Sequence, residues 1–402
     1  MHQFARGAYR RSRFVALSIV VTSMLLTMSA ALEAHAAPVA GVQIHPLWEG
    51  VDDAGIARQL DQASASGAGM VRVDVGWASL EQDAKGEWQD WYLRRLDRVV
   101  QGANARGLRL LLTLTSTPCW ASTAPETRRS GCSGRWWDRD VQNYAPADPR
   151  DYAAALGFLV GRYGDRVAGW EIWNEPNQRT FFKAPDPAGA YAALLTAAYA
   201  AAKAADPSAV VVGGSLADAD FRFTERLYQL GVKGSFDAWS IHPYSGDRSP
   251  LDPAADGDAA VSFTRGVPLV RKVMLAHGDD KPLWLTELGW STSSKRGGPS
   301  WVNGVDRRTQ AANLSKSFTR IRSWPYVAVG VWYNLLDSSA DPADRLGHYG
   351  LLDMRGAPKP AHEAFRRAAA SLTSRGRFRA VGAPSTRRWQ ALVCPRATAP
   401  CR

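Results

Sequence analysis

Met70-Val71-Arg72-Val73-Asp74-Val75, then the amphipathic run Asp90 to Arg106, then Arg109 to Thr115, is the stretch from which the fold can be read. Two-residue alternation with valines at 71, 73 and 75 predicts a strand, and the helical rhythm of the second piece predicts a helix. The third piece is again β-rich. Strand, crossover helix and strand in succession make a parallel pair, since parallel neighbours need a long connection.

The same unit recurs along the chain in both directions. Strands are predicted at Gly41 to His45, Met70 to Val75, Arg109 to Thr115, Val167 to Trp173, Val210 to Gly213, Phe236 to His242, Leu283 to Glu287 and Val329 to Asn334. Helical segments follow them at Asp53 to Ser66, Asp90 to Arg106, Pro149 to Tyr163, Pro187 to Ala205, Asp220 to Leu230, Val261 to His277, Val305 to Ser323 and Lys359 to Ser371. Eight alternating units are the number that closes a (β/α)8 barrel, an α/β TIM-barrel fold with one catalytic domain. Because side chains alternate faces along a strand, the valines at 71, 73 and 75 face the helices while Arg72 and Asp74 face the barrel axis. The same parity places Gln43, His45, Ser240, His242, Tyr244, Gly330, Trp332 and Asn334 on the inner side. For Gln43, Asp74 and Glu171, deep in the barrel, an internal hydrogen-bond network is the preferred reading.

In this fold the reactive groups sit at the C-terminal ends of strands. The fourth strand ends Trp170-Glu171-Ile172-Trp173-Asn174-Glu175-Pro176-Asn177, and the seventh ends Leu283-Trp284-Leu285-Thr286-Glu287-Leu288-Gly289-Trp290. Each delivers a carboxylate to the barrel mouth, so Glu175 and Glu287 can meet although 112 positions separate them. Two carboxylates across one cleft are what glycosidic cleavage requires: one protonates the leaving oxygen, the other attacks the anomeric carbon or activates water. A lone glutamate would be read as an ordinary surface or ion-paired residue; the pairing at two strand ends reverses that reading.

These residues resemble the (β/α)8 glycoside hydrolases of clan A, which carry Asn-Glu at the end of strand four and Glu at the end of strand seven. The resemblance covers the chain to about Ser371. Trp173-Asn174-Glu175-Pro176-Asn177, with Ile241-His242-Pro243-Tyr244 on strand six, looks closest to family 39 and to bacterial endoglycosidases that trim exopolysaccharide, with the cellulase-like family 5 next. The resemblance implies a retaining double displacement with Glu175 as acid/base, protonated when substrate arrives, and Glu287 as ionised nucleophile. It implies supporting roles for Arg72 and the Tyr244 hydroxyl beside Glu287, a contact from Asn174 to the sugar 2-hydroxyl, and a floor for the cleaved sugar from Trp332. His242 and His45 are candidate hydroxyl contacts, and Trp120 and Trp290 candidate stacking surfaces. Trp48 and Trp77 also follow strand ends, and for them a subsite and a packing role are equally open. A β-linkage is the family's expectation.

No cofactor is called for, and no His/Asp/Glu cluster at metal-ligand spacing predicts a catalytic metal. The four cysteines fall as two near pairs, Cys119 with Cys132 and Cys394 with Cys401, favouring two local disulfides in an oxidising compartment. Such a compartment fits the first 36 residues, where Arg6, Arg10, Arg11 and Arg13 precede an apolar run ending Ala34-His35-Ala36. They read as a signal peptide, with a retained membrane anchor the competing reading and the export route open. Residues 37–372 form the predicted catalytic domain, and 373–402 a basic tail with one small disulfide loop.

Of the formal charge of +11, four leader arginines and Glu33 account for +3. The rest is concentrated between Arg366 and Arg402. It could steer an anionic polysaccharide or serve only as a solvated tail. Nucleic acid is excluded for lack of a binding motif, and a monomer is the expectation. The long loops Thr117 to Pro146, with Trp136 and Trp137, and Ser291 to Asn303, around Trp301, favour endo-action on a polysaccharide, though such loops could equally close one end of the cleft for an exo-enzyme. A non-catalytic carbohydrate-binding barrel and a transglycosylase are the rival functions.

Overall fold

The computed structural model describes residues 37–132, 139–253 and 257–373. The leader, Trp136, Trp137, Cys394 and Cys401 lie outside the described residues. Eight parallel strands close into a barrel in sequence order: β1 (Val39–Gln43), β2 (Met70–Gly76), β3 (Arg109–Thr115), β4 (Gly169–Ile172), β5 (Val211–Ala217), β6 (Ala238–His242), β7 (Leu283–Leu288) and β8 (Val327–Trp332). The outer ring consists of α1 (Asp53–Ala65), α2 (Asp90–Ala105), α3 (Pro149–Tyr163), α4 (Pro187–Ala205), α5 (Phe221–Gln229), α6 (Phe263–Ala276), α7 (Arg307–Ser323) and α8 (Pro360–Thr373). The TIM-barrel expectation therefore holds, with element ends displaced by a few residues.

Local chemistry explains where the helices begin. Asp52, Asp148, Asp186, Asp220 and Asp306 each precede a helix and accept a backbone N–H from its first turn. Such a cap contributes about 1 kcal/mol. Pro149 and Pro187 open α3 and α4, where the missing N–H has no partner to lose.

The barrel interior is layered. Its lower layer is apolar, formed by Met70, Leu111, Val212, Ala238, Trp284, Val329 and Val331. The Trp284 ring lies over Gly169, where a Cβ would meet it at 3.0 Å. Above this plug the inward side chains turn polar: Gln43, Arg72, Thr113, Glu171, Ser240 and His242 are all buried. On the outer surface Val71, Val73 and Val75 join the helices in the main core, as the alternation in β2 predicts.

Strand β8 differs from expectation. It starts at Val327, and Val331 pairs with Gly41, whose missing side chain would point at Val331 Cγ2 at 3.1 Å. Val329 and Val331 thus face the axis, whereas Gly330 and Trp332 face outward. The reason lies in α7: a Cβ on Gly330 would stand 2.7 Å from Ile321 Cδ1, so the glycine is needed where helix and strand touch. Trp332 is fully buried, donates its indole N–H to Tyr349 O at 3.1 Å and stacks on Trp290.

The loop after β3 is stapled by the Cys119–Cys132 disulfide, one of the two expected pairs. Cys119 packs with Ala78, Ala124 and Val141 in a small apolar cluster. Among the described residues no helix is long and apolar enough to cross a membrane. With its cysteines separated by 13 in sequence, the staple restrains the unfolded chain by about 3 kcal/mol. A Cys119→Ala/Cys132→Ala variant is expected to lose about that much in denaturant titration and to be insensitive to reductant; an unchanged midpoint would show that the loop is held by its apolar cluster instead.

Candidate active site

The polar layer is organised by Arg72. Its Nε donates to Glu171 Oε2 at 2.7 Å, Nη1 to Glu287 Oε1 at 2.6 Å and Gln43 Oε1 at 3.0 Å, and Nη2 to Asn174 Oδ1 at 2.8 Å. Asp74 stands 3.5 Å from the same guanidinium. Burial works against the charge on Arg72, but Glu171, Asp74 and Glu287 together hold its pKa above the ordinary range. Glu171 shows the reciprocal effect: burial opposes its charge, yet Arg72, His242 and bonds from Arg72 and Thr113 keep its carboxyl below the usual value. The Ser240 hydroxyl completes its coordination at 2.8 Å. The preferred reading of Gln43, Asp74 and Glu171 as an internal network agrees with these bonds.

Glu175 and Glu287 meet at the mouth as the strand ends predict. With His242 they form a trio in which one oxygen or nitrogen from each side chain lies within 4.8 Å of the other two. These are also the residues that could hold a metal ion. Glu287 Oε2 accepts the Tyr244 hydroxyl at 2.7 Å, so its two oxygens are held by Arg72 and Tyr244. Glu175 Oε1 shares a hydrogen bond of 2.9 Å with His242 Nδ1, whose Nε2 lies 3.3 Å from Ser215 Oγ. Burial works against a charge on His242, but Glu287 and the bond to Glu175 outweigh it and raise its pKa. Asn174 is oriented by Arg72: because its Oδ1 accepts from the guanidinium, its amide N–H groups are left for the cleft.

The backbone is shaped for this purpose. Trp173 and Glu175 both take positive φ, 68° and 48°, just beyond β4. A register shift in β5 between Gly213 and Leu216 swings the Ser215 carbonyl into place, where it accepts Glu175 N–H at 2.8 Å. Gly214 makes the bulge possible: its φ is 102°, and a Cβ there would meet Ser240 O at 2.4 Å. Bulges re-aim side chains next to sites in this way.

The aromatic expectations divide. Trp290, like Trp332, is buried, with its indole N–H donated to Arg248 O at 2.7 Å. Neither offers a face to the cleft, so the floor and stacking roles expected of Trp332 and Trp290 are corrected. The aromatic beyond β8 that reaches the mouth is Tyr333, edge-on to His45 at 5.8 Å and to Tyr349 at 5.5 Å. Parity miscounted by one residue hid it. Trp120 is half-buried, edge-on to Trp77 and bonded to Glu81 O. Trp77 is packed in the core, while Trp48 is exposed and stacks on His45 with centroids 3.9 Å apart.

Asp218, in the loop after β5, carried no signal in the sequence. Burial first, then the charges of Glu175 and Asp220, push its carboxyl up to about 7. A folded value above the ordinary 3.8 means that the native state binds the extra proton between these limits, so stability is lost as pH rises through that window. Asp218→Asn is therefore expected to raise the melting temperature at pH 8 but hardly at pH 4; a pH-independent difference would contradict this. Replacing Arg72 by Met strands Glu171 and Glu287 without their cation. Denaturant titration is expected to show a loss of about 3–5 kcal/mol, and a neutral outcome would show that the carboxylates neutralise by taking up protons.

Comparison with known proteins places this geometry in context. The model of the cellulase family, glycosyl hydrolase family 5, matches residues 32–315. A β-xylosidase from Caldicellulosiruptor saccharolyticus is 28% identical over 218 residues, 52% of this chain but 43% of that protein, so the chain spans under half of its relative's length. Among solved structures, a family 39 glycoside hydrolase from the gut symbiont Bacteroides cellulosilyticus WH2 superposes with a TM-score of 0.65 at 22% identity, covering 84% of this chain and 64% of that one. GH5_18 from Streptomyces cattleya, in complex with GlcNAc, gives 0.64 at 19% identity, covering 85% and 82%. Likeness at these identities speaks for the fold, and both families named by the sequence motifs appear in it. With more than half of its length matched by the family model, the chain belongs to the cellulase family, glycosyl hydrolase family 5.

Proposed function

We propose that the protein is a retaining glycosidase that cleaves O-glycosidic bonds by double displacement, with Glu175 as acid/base and Glu287 as nucleophile. The observation that carries this reading is the closeness of the two carboxylates, whose nearest atoms fall within 4.8 Å. Retaining enzymes space the pair about 5–5.5 Å apart, whereas inverting enzymes need about 6.5–9.5 Å to admit a water.

The environments suit the assigned roles. Glu287, with its two oxygens held by Arg72 and Tyr244, attacks the anomeric carbon. As its oxygen forms the new bond, Glu175 passes its proton to the departing glycosidic oxygen. The carboxylate left behind is met by His242, then draws a proton from the water that hydrolyses the glycosyl-enzyme. Asn174 is placed to donate to the 2-hydroxyl as positive charge develops on the sugar ring. The chemistry needs no cofactor or metal.

The substrate is read as a β-linked polysaccharide or oligosaccharide, bacterial exopolysaccharide among the candidates, cut internally by a monomer acting after export to the periplasm or beyond. Exposed Trp48 and Trp301 on loops after β1 and β7 support extended binding. The disulfide supports an oxidising compartment. A second reading, exo-action, is favoured by the name of the β-xylosidase relative.

Mass spectrometry of products from bacterial exopolysaccharides, glucans, mannans and xylans, with NMR of the first-formed anomer, tests the proposal. Oligomers of retained configuration are expected; single sugars would indicate exo-action, products longer than the substrate a transglycosylase, and an inverted anomer would overturn the mechanism. Glu287→Ala is expected to abolish turnover. Glu175→Ala is expected to lower it by about 100- to 10,000-fold, least for aryl leaving groups that depart without a proton. Wild-type binding with no product from any polymer would favour the non-catalytic barrel.

A further inference from the structure

Away from the cleft, charge is divided unevenly around the barrel. Residues 37–373 carry 38 basic and 37 acidic side chains, close to balance. Three consecutive helices depart from it: α6, α7 and α8 together hold ten basic residues and a single acid, Glu363. The remainder of residues 37–373 is therefore acidic by eight charges. The three helices stand side by side. Arg320 of α7 donates to Thr264 Oγ1 of α6 at 3.0 Å, and Phe318 of α7 meets Phe365 of α8 edge-on at 5.6 Å.

Helix α7 is the centre of this wall. Its Leu314, Phe318 and Ile321 face the core, which leaves Arg307, Arg308, Lys316, Arg320 and Arg322 exposed along a helix without one acid. On the flanking helices part of the charge is neutralised: Arg271 pairs with Asp280, and Arg366 and Arg367 share Glu363. On α7, by contrast, Arg307, Arg308, Lys316 and Arg322 have no ion-pair partner among the described residues. The adjacent Asp306 is engaged in capping the first turn. Like charges four residues apart, as at Lys316 and Arg320, repel and weaken a helix. The fold gains nothing from this arrangement, whereas an anionic partner would.

Two features favour a plane of anions over a polymer strand. The cations spread in two dimensions: Arg307 to Arg322 covers about 22 Å along the helix, and three helices about 10 Å apart extend the wall roughly 20 Å across. Because the wall is convex, a plane touches it first at α7, where unpaired charge is densest. The second feature is the lack of flat apolar surface for sugar rings. Between its cations α7 shows Ala312, Ser315 and Thr319 to solvent, and the exposed Trp48, Trp91, Phe181 and Trp301 all lie on other elements. Leu275 of α6 is the one large apolar side chain exposed on the wall among the described residues, too little for insertion. Arginine forks suit phosphate oxygens, which they hold two at a time. We infer that the α6–α7–α8 wall docks on a lipid surface rich in anionic phosphate headgroups, adsorbing with α7 at the contact and without insertion. The helices run along the barrel, so this contact lays the barrel axis along the surface and leaves the mouth open to the side. Residues 374–402 follow α8 with seven arginines and no acid, adding attraction of the same sign. The inference is independent of the two-glutamate mechanism.

The test is co-sedimentation of the full chain with vesicles of phosphatidylcholine alone or mixed equally with phosphatidylglycerol. Wild type is expected on the anionic vesicles only, and to be released at about 1 M salt, where the screening length falls to about 3 Å. The leader and the C-terminal segment also carry arginines, so the variants decide. Arg308→Glu/Lys316→Glu/Arg322→Glu is expected to lower the partition coefficient at least about 100-fold, from about fivefold per cation. The control Arg58→Glu/Arg94→Glu/Arg226→Glu changes net charge equally on α1, α2 and α5 and is expected to lower it less than about tenfold. Melting curves check that each variant folds, and the corresponding glutamine set on α7 carries the test if the glutamate set does not. Equal losses in the two sets, undiminished binding by the α7 set, or a wild type without preference for anionic vesicles would each overturn the inference. So would soluble polygalacturonate that displaces wild type from vesicles at a lower concentration of charge and binds the α7 set weakly, since the wall would then serve an acidic polymer.

Discussion

The buried guanidinium of Arg72 sets the terms for everything above the barrel's apolar plug. A cation without solvent costs several kcal/mol unless carboxylates and hydrogen-bond acceptors surround it. Here Glu171, Glu287, Asn174 and Gln43 all accept from it. Those four come from β1, β4 and β7 or their ends, so satisfying the one charge carried by β2 fixes the mutual positions of β1, β2, β4 and β7 at the mouth. The proposed nucleophile is one of these acceptors, and the amide expected to touch the substrate is another. The support of the fold and the preparation of the site are therefore the same set of bonds.

A division of labour follows around the cleft. The Glu287 side is rich in fixed donors, from Arg72 and Tyr244. On the Glu175 side there is instead a partner that itself exchanges protons, His242, backed by Ser215. Asp218 adds a further carboxyl whose charge is disfavoured by burial and by Glu175. Two glutamates of identical chemistry thus receive different surroundings, as the proposed pairing of an acid with a nucleophile requires.

Much of this was legible residue by residue. Alternation in β2 placed Arg72 and Asp74 inward and three valines outward, and the helical rhythm placed helix starts to within two residues. Glu175 and Glu287 were recognisable because two strand ends carried them. The error in β8 is equally instructive. Val-Gly-Val-Trp-Tyr-Asn has apolar residues on both faces, so periodicity does not choose between them; the contact between Gly330 and Ile321 of α7 does. Choosing wrongly put Trp332 in the cleft and hid Tyr333.

By itself the sequence determined the number and order of the β/α units, the strand ends that carry carboxylates and the local cysteine pair Cys119–Cys132. These depend on short-range periodicity and spacing, which the chain carries wherever it is. Only the tertiary structure decided which face of β8 looks inward, how the β5 bulge aims Ser215 at Glu175, and that His45 and Asp74 stand 3.9 Å apart beside Arg72. Each of those depends on contacts between residues tens or hundreds of positions apart, where packing volume and charge balance, rather than local pattern, select the outcome.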